Sequence, residues 1–167
     1  MSDGDAIPAD LAQRVGRALL QSGWRLISVE SCTGGLLAAC MTDIPGSSNW
    51  FEGAFVTYRL SAKTDMVGVS DALLEEHGPV SEPVARAMAE GALNNSHADI
   101  AVSITGVAGP DGGDVISPVG TVWFAWVIRT ATEIHCVQTA EHRLAGSRQA
   151  VRSQAVRIAL EGVLELT

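Results

Sequence analysis

Three short segments concentrate the residue types that do chemistry. The first is Glu30-Ser31-Cys32-Thr33-Gly34-Gly35, which follows the apolar run Leu26 to Val29 and opens a helical pattern. A hydroxyl there stands beside helix-start N–H groups that are unpaired and partly positive, and such groups hold a phosphate or a developing oxyanion. The second is Tyr58-Arg59-Leu60-Ser61-Ala62-Lys63, at the end of another apolar run. A serine hydroxyl is a poor nucleophile until a base takes its proton, and a desolvated lysine can take it. The third is Thr105-Gly106-Val107-Ala108-Gly109-Pro110-Asp111-Gly112-Gly113, whose glycines permit positive φ and close approach of backbone to a ligand. It lacks the Gly-Lys-Ser/Thr ending of a Walker loop and the Gly-x-Gly-x-x-Gly spacing of a dinucleotide fingerprint.

Each segment by itself also has a plainer reading. Ser31 or Thr33 caps a helix, Lys63 is a solvated lysine, and the glycine loop is an ordinary turn-rich connection. The Gly-x-Ser-x-Gly turn of α/β-hydrolases is absent, and no Ser-His-Asp set stands out. Cys32, next to Ser31, is a candidate thiol nucleophile, but without a paired histidine it reads as a buried structural cysteine. Cys32, Cys40 and Cys136 form no Cys-x-x-Cys pair, and His77, His97, His135 and His142 lie far apart. Neither a disulfide framework, a metal site nor a cofactor is expected.

The elements that must position these residues follow from periodicity. Leu11, Val15, Ala18 and Leu19 recur at helical spacing from about Asp10 and stop at Gly23. Leu26 to Val29 is a strand, Leu36 to Met41 a helix, and Phe51 to Tyr58 a second strand. Short helices are expected over Ser61 to Val67 and Asp71 to Glu76. A longer one, N-capped by Ser81 with Pro83 in its first turn, reaches about Asn94. Strands follow at Ile100 to Ile104, Val119 to Ile128 and Glu133 to Thr139, and Ser147 caps a final helix carrying Val151, Ala155, Ile158 and Gly162. This order predicts one α/β domain over residues 1–167, with residues 1–8 a loose lead-in. Its architecture is a three-layer α/β/α sandwich with a mixed, mostly parallel sheet of about five strands. If the first two strands are parallel neighbours, Ser31, Tyr58 and Lys63 meet at one edge, where open α/β sheets bind ligands.

Composition limits the partners. Of 167 residues, 11 are Lys or Arg and 19 are Asp or Glu, a net charge of −8 that argues against binding nucleic acid or an anionic membrane. With 47% hydrophobic and 18% charged residues the chain can bury a substantial core. The start Met1-Ser2-Asp3-Gly4-Asp5 is acidic where a signal peptide is basic, and no apolar run is long enough to span a bilayer. A cytoplasmic protein is expected.

Taken together, the motifs resemble the CinA C-terminal domain family, the nicotinamide-nucleotide amidases. The matching stretches are Val29-Glu30-Ser31-Cys32-Thr33-Gly34-Gly35, Pro45-Gly46-Ser47-Ser48-Asn49-Trp50-Phe51, and Phe55-Val56-Thr57-Tyr58 with Ala62-Lys63. They continue with Gly78-Pro79-Val80-Ser81-Glu82, the loop Thr105 to Gly113, and Pro118-Val119-Gly120-Thr121-Val122, so the likeness runs from about Asp10 to about Gly162. The resemblance implies a metal-independent amide hydrolase that converts nicotinamide mononucleotide to nicotinate mononucleotide and ammonia, in NAD recycling. It implies Ser31 as nucleophile, Lys63 as general base and Tyr58 as an orienting donor, with Ser48 as the alternate nucleophile. A strand separating Ser48 from Tyr58 puts its two ends roughly 20 Å or more apart, which favours Ser31.

Substrate contacts are expected from the Thr33, Gly34 and Gly35 turn, from Thr105, Gly106 and Gly109, and from Arg148 and Arg152 on the last helix. An apolar strand edge or the Trp50-Phe51 pair is the expected homodimer surface. Five positions depart from the family pattern. Arg59-Leu60-Ser61-Ala62 stands where Ser-Asn-Glu-Ala is common, Ser117 where lysine is, and Ser147 where aspartate is. The departures leave room for a hydrolase of a different carboxamide, or for a non-catalytic binding module on the same scaffold. Larger family members carry a further N-terminal domain, and this sequence resembles the stand-alone form.

Overall fold

In the computed structural model residues 7–167 are described, so the expected lead-in falls, apart from its last two positions, outside the described residues. Helix α1 (Leu11–Ser22) buries Leu11, Val15 and Leu19 on one face. It ends at Gly23, whose φ of 68° lets its N–H close back on the Leu19 and Leu20 carbonyls. Strand β1 (Leu26–Glu30), helix α2 (Leu36–Thr42), a 3-10 turn (Ser47–Asn49) and strand β2 (Phe51–Val56) follow. Helices α3 (Leu60–Val67), α4 (Asp71–His77) and α5 (Glu82–Asn94) lead to β3 (Ile100–Gly106), β4 (Thr121–Arg129), β5 (Ile134–Arg143) and α6 (Arg148–Leu166).

The five strands lie in the order β2-β1-β3-β4-β5. β1 is parallel to both β2 and β3, β4 is antiparallel to β3, and β5 is antiparallel to β4. Four of the five strands therefore run in one direction, and the expected mixed sheet is the observed one. Side chains alternate across it. Leu26, Ile100, Val102, Ile104, Phe124 and Trp126 pack on one face beneath residues of α1, α2 and α6. Ile27, Val29, Ala101, Ala125 and Val127 pack on the other against α3, α4 and α5.

Several strand ends differ from expectation because pairing, not local composition, decides them. β3 continues past Ile104 to Gly106, where it pairs with Val122, and β5 continues to Arg143, opposite Thr121. β4 begins at Thr121 rather than Val119, and the Pro118 carbonyl instead accepts both the N–H and the hydroxyl of Thr121. Ser81 precedes α5 as expected, but its hydroxyl donates to the Gly78 carbonyl and not to the helix. Trp50, expected on a dimer surface, is only 3% exposed and lies against Gly16 of α1, where a Cβ would come within 2.7 Å of the indole.

One close approach ties the sheet face to the site. A Cβ at Gly91 of α5 would lie 1.8 Å from the Val67 carbonyl oxygen at the end of α3. Gly91→Ala is expected to push α3 away from α5 and destabilise the fold by about 1–3 kcal/mol. A thermal melt checks this, and a melting point equal to that of the unsubstituted chain would contradict it.

Candidate active site

The three parallel strands deliver their C-terminal ends side by side. Glu30 pairs with Val56 on one side and Ile104 on the other, so Ser31, Thr57 and Thr105 are the next residues out. The Ser31 N–H donates to the Ile104 carbonyl at 2.9 Å, and the Thr57 N–H donates to the Glu30 carbonyl at 2.9 Å. These bonds carry the ladder one step past the strands and fix where the Ser31 side chain leaves the sheet.

Lys63 comes back over this end from α3, one turn beyond Arg59. Its Nζ lies 2.9 Å from Ser31 Oγ and donates to the Thr57 carbonyl at 2.7 Å. The side chain is 1% exposed, and among the described residues no carboxylate pairs with it. Burial, the larger cause, lowers its pKa to about 8, with the nearby Cys32 opposing the shift. A neutral amine within reach of a serine hydroxyl is a base–nucleophile pair. Burial pushes the Cys32 thiol up to about 11, which keeps it protonated at neutral pH and unsuited to act as the nucleophile.

The pair opens into a cleft of about 610 Å³, lined by Ser31, Cys32, the segment Tyr58 to Ser61, Lys63, Pro79, Val80, Thr105 to Gly109, Asp111 and Arg148. Tyr58 is 56% exposed at its rim. Its hydroxyl accepts a hydrogen bond from Arg148 at 2.9 Å, and a second nitrogen of Arg148 donates to the Gly109 carbonyl at 2.7 Å. Arg148 thus pins Tyr58 and the glycine loop to each other.

The other expected contacts divide between the cleft and its supports. Arg152 is outside the cleft lining. Its guanidinium donates to the Cys32 carbonyl at 3.2 Å and the Thr33 carbonyl at 2.9 Å, clamping the turn that carries Ser31. Gly34 and Gly35 also lie outside the lining, and the Gly34 N–H donates to the Ser31 carbonyl at 3.1 Å. The Cys32 and Thr33 N–H groups have no backbone acceptor among the described residues. The Thr33 hydroxyl is buried without a partner among the described residues. Thr105 is 1% exposed, with its hydroxyl donating to the Pro79 carbonyl at 2.7 Å. Gly106 and Gly109 line the cleft. Ser48 is exposed in the 3-10 turn before β2, at the opposite end of that strand from Tyr58 and Lys63. Within the chain it is not brought to the cleft.

Sequence reasoning missed Glu30. Its carboxylate is fully buried, and it accepts the Leu37 and Ala38 N–H groups at 2.9 and 3.0 Å and the Ser28 hydroxyl at 3.1 Å. Those three donors offset the cost of burying a polar group and fix the start of α2 relative to β1. An acidic residue closing an otherwise buried strand was the signal. Among the described residues no cluster of His, Cys, Asp or Glu could hold a metal ion, and no helix is long and apolar enough to cross a membrane.

Relatives match this arrangement along nearly its whole length. The nicotinamide-nucleotide amidohydrolase PncC of Escherichia coli K12 is 48% identical over 161 residues, covering 96% of this chain and 94% of the relative. The protein of the same name from Enterobacter agglomerans is 47% identical over 155 residues, covering 93% of this chain and 92% of the relative. Among solved structures, the competence/damage inducible protein CihA from Agrobacterium tumefaciens superposes with a TM-score of 0.88 at 40% identity, covering 95% of this chain and 94% of its own. The CinA C-terminal domain matches residues 8–167, and the chain belongs to that family.

Proposed function

We propose that this chain hydrolyses the carboxamide of nicotinamide mononucleotide, giving nicotinate mononucleotide and ammonia and returning a by-product to NAD synthesis. The observation that carries the reading is the 2.9 Å approach of Lys63 Nζ to Ser31 Oγ in the cleft. The two relatives named nicotinamide-nucleotide amidohydrolase, at 47% and 48% identity, support the choice of substrate.

The chemistry is acyl transfer. Neutral Lys63 takes the Ser31 proton as Oγ bonds to the carboxamide carbon, and the carbonyl electron pair moves onto oxygen. The Cys32 and Thr33 N–H groups are the donors for that oxyanion. Lys63 then returns the proton to the departing nitrogen, the C–N bond breaks and ammonia leaves an ester on Ser31. Water, deprotonated by Lys63, attacks the ester, and Ser31 regains its proton as the acid product leaves. No metal takes part. Tyr58, oriented by the Arg148 bond to its oxygen, keeps its own proton for donation to the substrate.

Arg152 acts through the turn. The carbonyl of Cys32 and the N–H of Thr33 belong to one peptide group, so a guanidinium on that carbonyl polarises the oxyanion donor as well as positioning it. Arg152→Met is expected to lower kcat by about 10-fold or more and to leave KM nearly unchanged, as loss of one charge-assisted hydrogen bond would. Steady-state kinetics check this, and a rise in KM at constant kcat would make Arg152 a substrate ligand.

A second reading rests on Leu60, 53% exposed in the cleft lining where the family pattern has a polar residue. An apolar rim there suits another carboxamide acted on by the same Ser31–Lys63 pair. The proposal also places the protein in the cytoplasm as a homodimer, joined through the edge strand β2, where Val56 is 40% exposed.

Chelator-treated protein incubated with nicotinamide mononucleotide tests the function. Ammonia release is expected. Release only from other carboxamides would move the mechanism to the second reading. No release from any, or release only after metal is added, would overturn the serine–lysine account.

A further inference from the structure

The cleft is basic on a chain of net charge −8. Among the described residues its lining holds Arg59, Lys63 and Arg148 against the single acid Asp111. These three cations are not equivalent. Lys63 is buried and bonded to Ser31 and Thr57. Arg148 spends two nitrogens on the Gly109 carbonyl and the Tyr58 hydroxyl. Arg152, the other arginine expected to contact substrate, is bound to the Cys32 and Thr33 carbonyls and lies outside the lining. Arg59 lines the cleft and is exposed, and its side chain makes no hydrogen bond or ion pair among the described residues.

Position agrees with charge. Arg59 is the N-cap residue of α3, and Lys63 follows one turn later, with its N–H on the Arg59 carbonyl at 3.3 Å. The two Cα atoms are thus about 6 Å apart along the helix axis. Lys63 is buried at the reaction centre, whereas Arg59 is at the open end of the same helix. A substrate with its carboxamide at Ser31 and its polar end toward solvent presents that end to Arg59. A guanidinium with all its donors free suits a phosphate monoester, which it can grip with two parallel hydrogen bonds.

We infer that Arg59 is the specificity-determining contact for the phosphate of the substrate, selecting phosphorylated pyridine carboxamides over their unphosphorylated counterparts. The inference rests on the amide-hydrolase reading. It also goes beyond it, because the family pattern has serine at this position and the guanidinium is this chain's own. Arg148 remains the brace of Tyr58 and the loop, and Arg152 the clamp of the nucleophile turn.

The test compares the full chain with Arg59→Ser and Arg59→Lys on nicotinamide mononucleotide and on the phosphate-free nicotinamide riboside. The expected result is a fall of 10-fold or more, on the order of one charge-assisted contact, in the ratio of kcat/KM for the mononucleotide to that for the riboside. The loss should appear in KM for Arg59→Ser and be partly restored in Arg59→Lys. Equal losses on both substrates, a loss confined to kcat, or no loss would overturn the inference. Calorimetry with inorganic phosphate on the same proteins separates the two claims. If the unsubstituted chain releases no ammonia from either substrate, the reading of nicotinamide mononucleotide as substrate fails. Phosphate binding weakened in Arg59→Ser still supports the anion contact, and equal binding in both proteins overturns it.

Discussion

Lys63→Met is expected to lower kcat on nicotinamide mononucleotide by about 10²–10⁴-fold, the span that a positioned general base contributes. Methionine nearly matches the volume of the lysine stem, so the buried space between α3 and the strand ends stays filled. What is lost is the group that takes the Ser31 proton. KM should change little, because Lys63 is engaged with Ser31 and the Thr57 carbonyl rather than with the cleft mouth. The pH dependence gives the same assignment a second readout. Burial holds the Lys63 pKa at about 8, so kcat/KM should climb as pH rises through that value and the amine becomes neutral.

Stability carries the opposite face of the same shift. Between pH 8 and the unperturbed value of 10.5, the unfolded chain keeps the Lys63 proton while the folded chain has lost it. Stability therefore rises with pH across that window, by about 3 kcal/mol in total for this one group. Below pH 8 both states carry the proton and the contribution is flat. Urea titrations at several pH values should show the rise in the unsubstituted chain and lose it in Lys63→Met. A pH–rate profile that is flat between 7 and 9 would remove Lys63 from the role of base.

Ser31→Ala is the second large effect, with turnover expected to fall by about 10⁴-fold or more, as removing a covalent nucleophile does. The substitution deletes one oxygen from a side chain that is 8% exposed, and the backbone bonds from Ser31 N–H to Ile104 and from Gly34 N–H to Ser31 remain. Circular dichroism and melting should be close to those of the unsubstituted chain, so lost activity cannot be blamed on the fold. Ser48→Ala is the paired control: its hydroxyl is exposed in a 3-10 turn at the far end of β2. Full activity in Ser31→Ala with loss in Ser48→Ala would transfer the nucleophile to Ser48.

How much of this was legible beforehand depended on how local each feature is. The approach of Ser31 and Lys63 could be read because two parallel neighbouring strands must release their next residues at one edge, and Lys63 is one helical turn away from the second release point. The roles of Arg148 and Arg152 could not. Both stand on α6, and their targets, Gly109, Tyr58, Cys32 and Thr33, lie 39, 90, 120 and 119 positions away in sequence. Helical spacing put the two arginines on one face but not against particular carbonyls. Trp50 departs from the surface expectation for a similar reason. Its aromatic neighbour Phe51 suggested a surface pair, while the small residue that receives the indole, Gly16, is on another element.

Glu30 shows the intermediate case. An acid at the end of a buried strand signals that donors await it, but only the fold identifies them as Leu37 and Ala38 at the start of α2. Strand lengths fell short in the same way, since β3 and β5 are extended by partners in β4 that lie well away in sequence. Glycine content was an ambiguous cue. It marked Gly106 and Gly109, which line the cleft, and equally Gly34 and Gly35, which do not.

The central claim is that Ser31 forms the acyl intermediate with Lys63 as its base. Mass spectrometry on protein acid-quenched within the first turnover on nicotinamide mononucleotide tests it most directly. The account predicts a nicotinate-mononucleotide acyl group, matched by ammonia already released, on the peptide that contains Ser31 and on no other. An adduct on the peptide containing Ser48, an adduct on Cys32, or first-turnover ammonia with no adduct anywhere on the chain would contradict it.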